Sequence, residues 1–285
     1  VLAHAPEAEV VPIETADQAG AALSFGLPVL THTFPAGATP GQASHANAQG
    51  VIDVIARGVE LVRASQASAI CTLPISKQVL IEGAGFPHPG HTEYLAALAG
   101  GVPVAMMLAC PDLRVVPATI HIPLSEVPRY LTPGTLERTI RLTEAALRRD
   151  FGIARPRIAI AGLTPHAGEG GTMGSEETNV ISPVVMKLRS EGIDLAGPLS
   201  ADTMFHPGAR SSYDAAVAMY HDQALIPIKT IDFAGGVNIT LGLPFVRTSP
   251  DHGTAFDIAG QGKADPTSFI AALRMAADMA ARRAA

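Results

Sequence analysis

Between Arg157 and Gly171 the chain reads RIAIAGLTPHAGEGG. The apolar run 157–163 is typical of a short buried strand, and the proline and glycines after it indicate a loop. The next segment, 176–189, has the apolar spacing of a helix. A strand, a loop that carries a histidine, and a helix in this order are typical of α/β folds, in which ligands bind at the loops after the strands.

The same alternation continues in both directions from this segment. The runs that favour strands are 69–73, 102–109, 113–122, 157–163, 215–219 and 238–241. The helical patterns are 44–62, 76–82, 92–99, 132–149, 176–189 and 267–283, with Thr132 and Pro133 as the N-cap and first residue of their helix. Strands that alternate with helices predict an α/β fold with a mostly parallel sheet.

Composition and charge exclude several classes of protein. The 285 residues are 47% apolar and 16% charged, which predicts a large core rather than disorder. The net charge of −6 argues against a nucleic-acid partner, and no apolar run approaches the roughly 18 residues of a membrane span. The two cysteines, Cys71 and Cys110, do not make a disulfide framework, and no secretory signal is found. We therefore expect a cytoplasmic protein with neither a nucleic-acid nor a membrane partner.

The ten histidines fall into two groups. Five have no distinctive surroundings, and we interpret them as ordinary surface or core residues: His4, His32, His45, His88 and His206. The other five stand beside small residues and turn formers, where loops place ligands: His91, His121, His166, His221 and His252.

Three imidazoles with one open position form a common catalytic site for a divalent metal ion. Metal ligands usually occur as close pairs, however, whereas His121, His166 and His221 are far apart in the sequence. On spacing alone, histidines that cap helices or form hydrogen bonds in loops remain the simpler interpretation. Asp222, directly after His221, could orient that histidine or act as a base.

Three polar residues follow one another at nine-residue steps: Lys229, Asn238 and Arg247. They could hold a phosphate or carboxylate, because arginine binds such groups bidentately and lysine binds them as a point charge. Residue type alone favours the alternative, a solvated strand edge. The chain has no glycine-rich dinucleotide motif after a strand and no Walker A motif, which argues against a Rossmann site.

Several motifs taken together are far more specific than any single one. They are LTPHAGEGG (163–171), ADT (201–203), MYHDQ (219–223), VNITLGLP (237–244) and RTSPDHGTA (247–255), with TLPISK (72–77) and GHTE (90–93) before them. Over nearly the whole chain they resemble the 4-hydroxythreonine-4-phosphate dehydrogenase family of pyridoxal phosphate biosynthesis. Thr164 stands where the family commonly has asparagine.

The resemblance implies a fold like that of isocitrate and isopropylmalate dehydrogenases, with two α/β domains around a cleft and mostly parallel central sheets. Residues 1–93 and 248–285 would form the first domain, and 94–247 the second. The family's usual leading segment, GDPAGIGPE, is not found near Val1. We therefore expect that the leading segment has been trimmed or left out of this sequence.

The resemblance also implies the roles of individual residues. The metal ligands would be His121, His166 and His221, with His221 reaching across a homodimer interface. The substrate would be bound by residues from the second half of the chain and from the GHTE motif: His91, Thr92, Lys229, Asn238 and Arg247.

The segment 252–266 resembles the adenine-binding loop of isopropylmalate and isocitrate dehydrogenases. It would place five residues against the adenosine end of the cofactor: Gly253, Thr254, Ala255, Asp257 and Asp265. Asp265 stands where such loops often carry asparagine, which leaves the choice between NAD and NADP open.

The expected reaction is the oxidation of 4-(phosphooxy)-L-threonine by NAD or NADP, assisted by a zinc, magnesium, cobalt or manganese ion. The β-keto acid formed would lose carbon dioxide and give 3-amino-2-oxopropyl phosphate. Asp222 or Asp202 would accept the proton of the alcohol. Two alternatives stay open: a dehydrogenase of the same scaffold that acts on 4-phosphoerythronate or an aromatic cis-dihydrodiol, and a metal-dependent hydrolase.

Overall fold

An eight-stranded sheet forms the centre of the protein in the computed structural model, which describes residues 8–284. Two further strands pair with each other in a small separate sheet. In chain order, the strands of the described residues are β1 (Val10–Ile13), β2 (Leu27–Leu30), β3 (Ala69–Cys71), β4 (Ala105–Cys110), β5 (Leu113–Pro117), β6 (Arg157–Ala161), β7 (Asp194–Leu199), β8 (Ala215–Ala218), β9 (Val237–Leu241) and β10 (Val246–Pro250).

The strand order in the large sheet is β3-β10-β9-β4-β5-β8-β6-β7. The pairs β3/β10, β5/β8, β8/β6 and β6/β7 are parallel, as is β1/β2 in the small sheet. Only the central run β10-β9-β4-β5 is antiparallel. The predicted α/β class with a mostly parallel sheet is therefore confirmed.

Helices cover both faces of the sheet. The α helices of the described residues are α1 (Ala19–Ala22), α2 (Ala48–Arg63), α3 (Lys77–Ala84), α4 (His91–Leu98), α5 (Val127–Tyr130), α6 (Pro133–Arg149), α7 (Ser182–Ser190), α8 (Pro207–Arg210), α9 (His221–Ile231) and α10 (Thr267–Ala284). Helices α6, α7 and α10 pack on one face in one apolar cluster, and α9 packs on the other face.

Side-chain alternation along the strands explains this layering. In β6, Ile158 and Ile160 belong to the cluster under α6, whereas Ala159 and Ala161 belong to the cluster under α9. Successive residues of a strand point to opposite faces, so a strand buried on both faces reads as a continuous apolar run. This is the pattern that the sequence shows at 157–163.

The start of α6 confirms the predicted cap. The Thr132 side chain accepts a hydrogen bond from the backbone N–H of Thr135 at 3.1 Å, and Pro133 occupies the first turn. The backbone N–H groups in the first turn of a helix have no acceptor within the helix. Thr132 supplies an acceptor for one of them, and Pro133 has no N–H that needs one.

Several elements were not predicted from the sequence, and the residues of three of them give the reason. Strand β7 contains Gly197 and Pro198, which weaken a strand pattern. Helix α9 contains Pro227 in its interior, where proline normally ends a helix. Strand β10 reads VRTSP and looks solvent-exposed by residue type, yet all five of its residues are buried. Strands β1 and β2 were missed as well.

The predicted domain division is not tested by this fold. Strands β3 and β10, from the first predicted domain, continue the sheet formed by strands of the second. The division into 1–93 with 248–285 and 94–247 stays a prediction. Its residues 1–7, which include His4, and residue 285 lie outside the described residues.

Among the described residues, none of the helices combines the length and the apolar character that a membrane crossing requires.

A buried carboxylate joins the ends of α6 and α10. Asp150, which is 1% exposed, accepts hydrogen bonds from Arg149 and from Arg283 near the end of α10. Burial alone would raise the pKa of this carboxyl, but the two guanidinium groups outweigh it and hold the pKa below its usual value of 3.8. The charged form of Asp150 is therefore the one that the fold stabilises.

We expect Asp150→Asn to lower the free energy of unfolding by about 3 kcal/mol, because two arginines lose their charged acceptor. Since the folded-state pKa lies below 3.8, the stabilisation is present above that pH and is lost as the pH falls. Urea unfolding between pH 3 and 7 should therefore show a flatter pH dependence for the variant. Glu137→Gln, which removes a surface carboxylate that pairs with Lys187 and Arg141, is the control and should cost much less. An Asp150→Asn loss no larger than that of the control contradicts this account.

Candidate active site

A cleft of about 400 Å³ opens where several strands end. Its walls come from the segments that follow β3, β5 and β8, from the end of β10, and from the first turn of α4. Parallel strands present their carboxyl ends at one edge of the sheet, and α/β proteins bind ligands there. Seven predicted site residues line this cleft, and His252 lines it beside them. The seven are His91, Thr92, His121, His221, Asn238, Arg247 and Gly253.

Arg247 is the most unusual side chain of the cleft because it is a buried cation with no carboxylate partner among the described residues. It is 4% exposed, and it donates to the hydroxyl groups of Thr72 at 2.8 Å and Thr240 at 3.1 Å. Its Nε atom is buried with no hydrogen-bond acceptor among the described residues. Burial lowers the pKa of Arg247 to about 10, so the guanidinium keeps its charge at neutral pH. The alternative of a solvated strand edge is therefore wrong for this residue.

Two more polar atoms in the same cleft lack partners among the described residues. The Nε2 atom of His91 and the Oδ1 atom of Asn238 are buried and form no hydrogen bond. Burial, and after it the charge of Arg247, lowers the pKa of His91 to about 4. His91 is therefore neutral at physiological pH. Buried polar groups in native proteins are almost always satisfied, so three unsatisfied groups around one cleft indicate a bound polar ligand.

Lys229 does not line the cleft itself. Its Nζ atom forms an ion pair with the carboxylate of Asp251, which does line the cleft. Lys229 also lies 5.4 Å from the ring centroid of Phe233. Lys229, which was predicted to bind the substrate, thus contacts the cleft wall through Asp251.

His121 and His221 come together, with ring centroids 5.8 Å apart. The Nδ1 atom of His221 is 2.7 Å from the Asp222 carboxylate, an arrangement that leaves Nε2 of that ring free. Burial, followed by the charges of Lys77 and His221, lowers the pKa of His121. His121 is therefore a neutral imidazole, and it lies beside His221, whose ring the Asp222 carboxylate orients. These two donors suit a divalent transition metal.

His166 lies apart from this pair. It does not line the cleft but lies near Asp202, whose pKa is lowered chiefly by the hydrogen bond from the Ser200 hydroxyl. Among the described residues, no group of three histidine, cysteine or acidic side chains is close enough to hold a metal ion. The described chain by itself therefore does not assemble the predicted set of His121, His166 and His221, and that set stays a prediction.

The loop that carries His166 has an unusual backbone. Five consecutive residues from His166 to Gly170 have positive φ angles, between 40° and 81°, and three of them are not glycine. Buried Glu177 anchors the start of this loop, because its carboxylate accepts hydrogen bonds from the backbone of Leu163 and from the backbone and hydroxyl of Thr164. Strained backbone of this kind concentrates at functional sites. Thr164, which replaces the family's asparagine, is thus one of the residues that hold the loop.

The predicted adenine loop is exposed and runs from the cleft to the start of α10. Gly253 lines the cleft, and Thr254 lines a second, smaller pocket beside α2 and α3. Ala255 has a φ of 48°, and Asp257 is exposed. Asp265 accepts hydrogen bonds from the backbone and the hydroxyl of Thr267, where α10 begins. These roles are structural, and the contacts of this loop with a cofactor stay a prediction.

The cleft also contains charged residues to which the sequence had assigned no role. They are Lys77 in the first turn of α3, Glu93 in the first turn of α4, and Asp251. Lys77 and Glu93 lie at the ends of the motifs TLPISK and GHTE, and Asp251 lies within RTSPDHGTA. Membership in a motif was therefore the only signal that could have identified them.

Four of the histidines interpreted as ordinary residues have ordinary contacts. His45 pairs with Glu82, and the Nδ1 atom of His206 accepts from the backbone at the start of α8. His32 packs against Phe34, and His88 packs against both Phe86 and Tyr94.

Known proteins similar to this chain share most of its length. A 4-hydroxythreonine-4-phosphate dehydrogenase of Paracoccus denitrificans is 69% identical over 261 residues, which are 90% of this chain and 81% of the relative. One from Roseobacter denitrificans is 62% identical over 281 residues, 98% of this chain and 86% of the relative.

Solved structures of similar proteins also cover most of this chain. A 4-hydroxythreonine-4-phosphate dehydrogenase from Klebsiella pneumoniae is 39% identical with a TM-score of 0.87, over 96% of this chain and 83% of that one. A terephthalate 1,2-cis-dihydrodiol dehydrogenase from Burkholderia xenovorans is more distant, at 30% identity and a TM-score of 0.67, over 94% of this chain and 82% of that one.

The model of one protein family matches residues 2–276. The family predicted from the motifs is confirmed: the chain belongs to the family described as pyridoxal phosphate biosynthetic protein PdxA.

Proposed function

We propose that this protein is a 4-hydroxythreonine-4-phosphate dehydrogenase, which oxidises 4-(phosphooxy)-L-threonine with a nicotinamide cofactor. The observation that carries the proposal is the buried guanidinium of Arg247, which lies in the cleft with no carboxylate partner in the part of the chain that the structure describes. A buried, unpaired cation is costly unless a ligand supplies the opposite charge. A phosphorylated substrate supplies that charge.

The substrate phosphate would take the position that the unsatisfied groups define. Arg247 donates to it through its fork of N–H groups, and the neutral ring of His91 donates one hydrogen bond if its Nε2 carries the proton. The Oδ1 atom of Asn238 is an acceptor, so it would take a hydrogen bond from a donor group of the substrate rather than contact the phosphate, and Thr92 lines the same cleft. Lys229 neutralises the Asp251 carboxylate of the cleft wall, which would otherwise repel the phosphate, rather than touching the substrate. Together these groups fix the distance from the phosphate to the reacting carbon.

A divalent metal ion, when bound, favours loss of the proton from the substrate alcohol and stabilises negative charge on the oxygen. His121 and His221 would hold it, and the Asp222 carboxylate would keep the His221 ring in its ligating orientation. Because His166 lies apart from this pair within one chain, we propose that the three histidines meet across a homodimer interface, with His166 and His221 of one site supplied by different subunits. The neighbouring surface supports this, since it forms a second cleft of about 360 Å³ that contains the 66% exposed Leu124.

Asp222 is better placed than Asp202 to accept the alcohol proton. Asp222 contacts a histidine of the cleft, whereas Asp202 lies with His166 outside it. The hydrogen bond from Ser200 also lowers the pKa of Asp202, which makes it a weaker base. We propose Asp222 as the proton acceptor in the oxidation.

The cofactor is NAD or NADP, with its adenosine end on the loop after His252 and its nicotinamide in the cleft. The polar loop offers Gly253, Thr254, Ala255, Asp257 and Asp265 for contacts. Loss of hydride from the substrate carbon gives a β-keto acid, and loss of carbon dioxide from that acid gives 3-amino-2-oxopropyl phosphate. The cytoplasmic location expected from the cysteine content fits a reaction with a soluble cofactor.

Two alternatives are weaker. A dihydrodiol substrate has support from the relative at 30% identity, but the relatives named 4-hydroxythreonine-4-phosphate dehydrogenase reach 69% identity. A hydrolase has no use for the loop that resembles an adenine site.

We expect Arg247→Lys to reduce kcat/KM for 4-(phosphooxy)-L-threonine by about 100-fold, because lysine cannot make the bidentate contact. Reduction of NAD followed at 340 nm measures this. Arg129→Lys is the control, since Arg129 is on the surface with a 77% exposed side chain. A wild-type kcat/KM in Arg247→Lys would contradict the role of Arg247 in phosphate binding.

A subunit-complementation experiment tests the shared metal site. His166→Ala and His221→Ala should each lose bound zinc, measured by atomic emission, and lose activity. Co-expressed in equal amounts, the two variants should form mixed dimers with one intact site, so that about a quarter of the wild-type activity returns. His45→Ala, which removes a surface histidine, should keep full activity. No recovery in the mixture contradicts the site shared between subunits.

A further inference from the structure

A further cleft lies at the opposite edge of the central sheet from the active-site cleft. Its volume is about 340 Å³, and small-molecule sites have roughly 300–1,000 Å³. Its walls come from the turn between β4 and β5, from α8 and from the residues directly before β8. The active-site cleft lies beyond the other ends of β5 and β8. The five residues of β5, which span about 16 Å, therefore separate the two clefts.

Two arginines of this further cleft have buried N–H groups without an acceptor. The Nε atom of Arg114 and the Nη1 atom of Arg210 are buried, and among the described residues neither forms a hydrogen bond. Both side chains line the cleft, and we call it the arginine cleft. Buried donors in native proteins are almost always satisfied. Two unsatisfied donors from different elements on one cleft therefore indicate a ligand that accepts hydrogen bonds.

The guanidinium group of Arg114 is held in place by uncharged partners. Its Nη1 atom donates to the backbone carbonyl of Asp214 at 3.1 Å, and its Cζ atom lies 4.7 Å from the ring centroid of Phe151. These contacts orient the guanidinium group but bring no negative charge to it. The protein thus fixes the direction of the Arg114 side chain and leaves its positive charge available to a ligand.

The acidic side chains of the arginine cleft leave an excess of one positive charge. The Asp214 carboxylate is taken up by Arg157, whose Nη2 atom donates to it at 2.9 Å and whose backbone N–H donates to it at 2.8 Å. Asp112, the other acidic residue of the wall, is exposed. Once Asp214 is paired with Arg157, one carboxylate remains against the two arginines. The charge balance therefore favours an anion with a single charge.

We propose that Arg114 and Arg210 bind the carboxylate group of a small organic acid in the arginine cleft. A carboxylate has two oxygens, and the cleft has two unsatisfied N–H groups to donate to them. A doubly charged phosphate would exceed the available positive charge and would be repelled more strongly by Asp112. Three apolar residues of the wall can contact a short hydrocarbon chain attached to the carboxylate: Pro111, Leu113 and Pro207.

Nuclear magnetic resonance of the arginine side chains tests this site directly, because the Nε–H group of Arg114 is one of the proposed donors. Its signal is identified as the one that Arg114→Lys lacks. Titration of the full chain with butanoate should shift this signal in a saturable way. Butanamide, which has the same shape without the charge, should shift it little, and inorganic phosphate should bind more weakly than butanoate.

Variants of the second arginine and of Asp112 separate binding from a structural role. Arg210→Gln should weaken butanoate binding, read from the Arg114 signal, by at least about 10-fold, since it removes a charged donor. Asp112→Asn removes a negative charge from the wall and should tighten binding by about threefold. Arg129→Gln, the matched loss of a 77% exposed arginine elsewhere on the surface, should leave the affinity unchanged.

The inference does not rest on the proposed function. Arg247→Met alters the active-site cleft and should leave the butanoate titration of the Arg114 signal unchanged. A titration that disappears in Arg247→Met would show that butanoate acts from the active-site cleft, and it would overturn the inference. Three other results would overturn it as well: no shift with butanoate, an equal response to butanamide or phosphate, or an unchanged affinity in Arg210→Gln.

Discussion

The cleft depends on one buried guanidinium. Arg247 lies on strand β10 between β3 and β9, and its partners are hydroxyl groups at the ends of its neighbours, Thr72 and Thr240. The strand order therefore fixes the direction of the side chain before any ligand arrives. Two neutral hydroxyl groups orient the cation but do not neutralise it, so the folded protein keeps an uncompensated positive charge in the cleft. An uncompensated buried charge lowers the stability of the free protein and favours the binding of an anion.

The rest of the cleft is arranged around this cation by the ends of strands and the starts of helices. His221 begins α9 directly after β8, and His121 follows β5, the parallel neighbour of β8, which brings the two rings together. Gln223 binds the backbone of Met219 through its oxygen and that of Gly162 through its nitrogen, and so ties the ends of β8 and β6. The sheet thus brings together functional side chains that are far apart in the sequence.

The class of fold and much of its layout could be predicted from the sequence, because buried parallel strands and amphipathic helices leave strong periodic patterns. The prediction failed for elements whose residue types are unusual for their structure. The polar residues of β10 are buried, and helix α9 contains a proline. For the site, residue type alone placed Arg247 at an exposed edge, and only tertiary burial reverses that. Lys77 and Glu93 could not be assigned from spacing, because only the fold brings the starts of α3 and α4 to the same cleft.

The central claim is that Arg247 is held without a counterion in order to meet a phosphate group. The most direct measurement is the thermal unfolding midpoint of the wild type and of Arg247→Met, with and without inorganic phosphate and at constant ionic strength. The account predicts that phosphate raises the midpoint of the wild type, as expected for a ligand that binds only the folded state. It also predicts that Arg247→Met is at least as stable as the wild type without phosphate and does not respond to phosphate. A variant that is much less stable than the wild type, or that gains as much from phosphate, would contradict the claim.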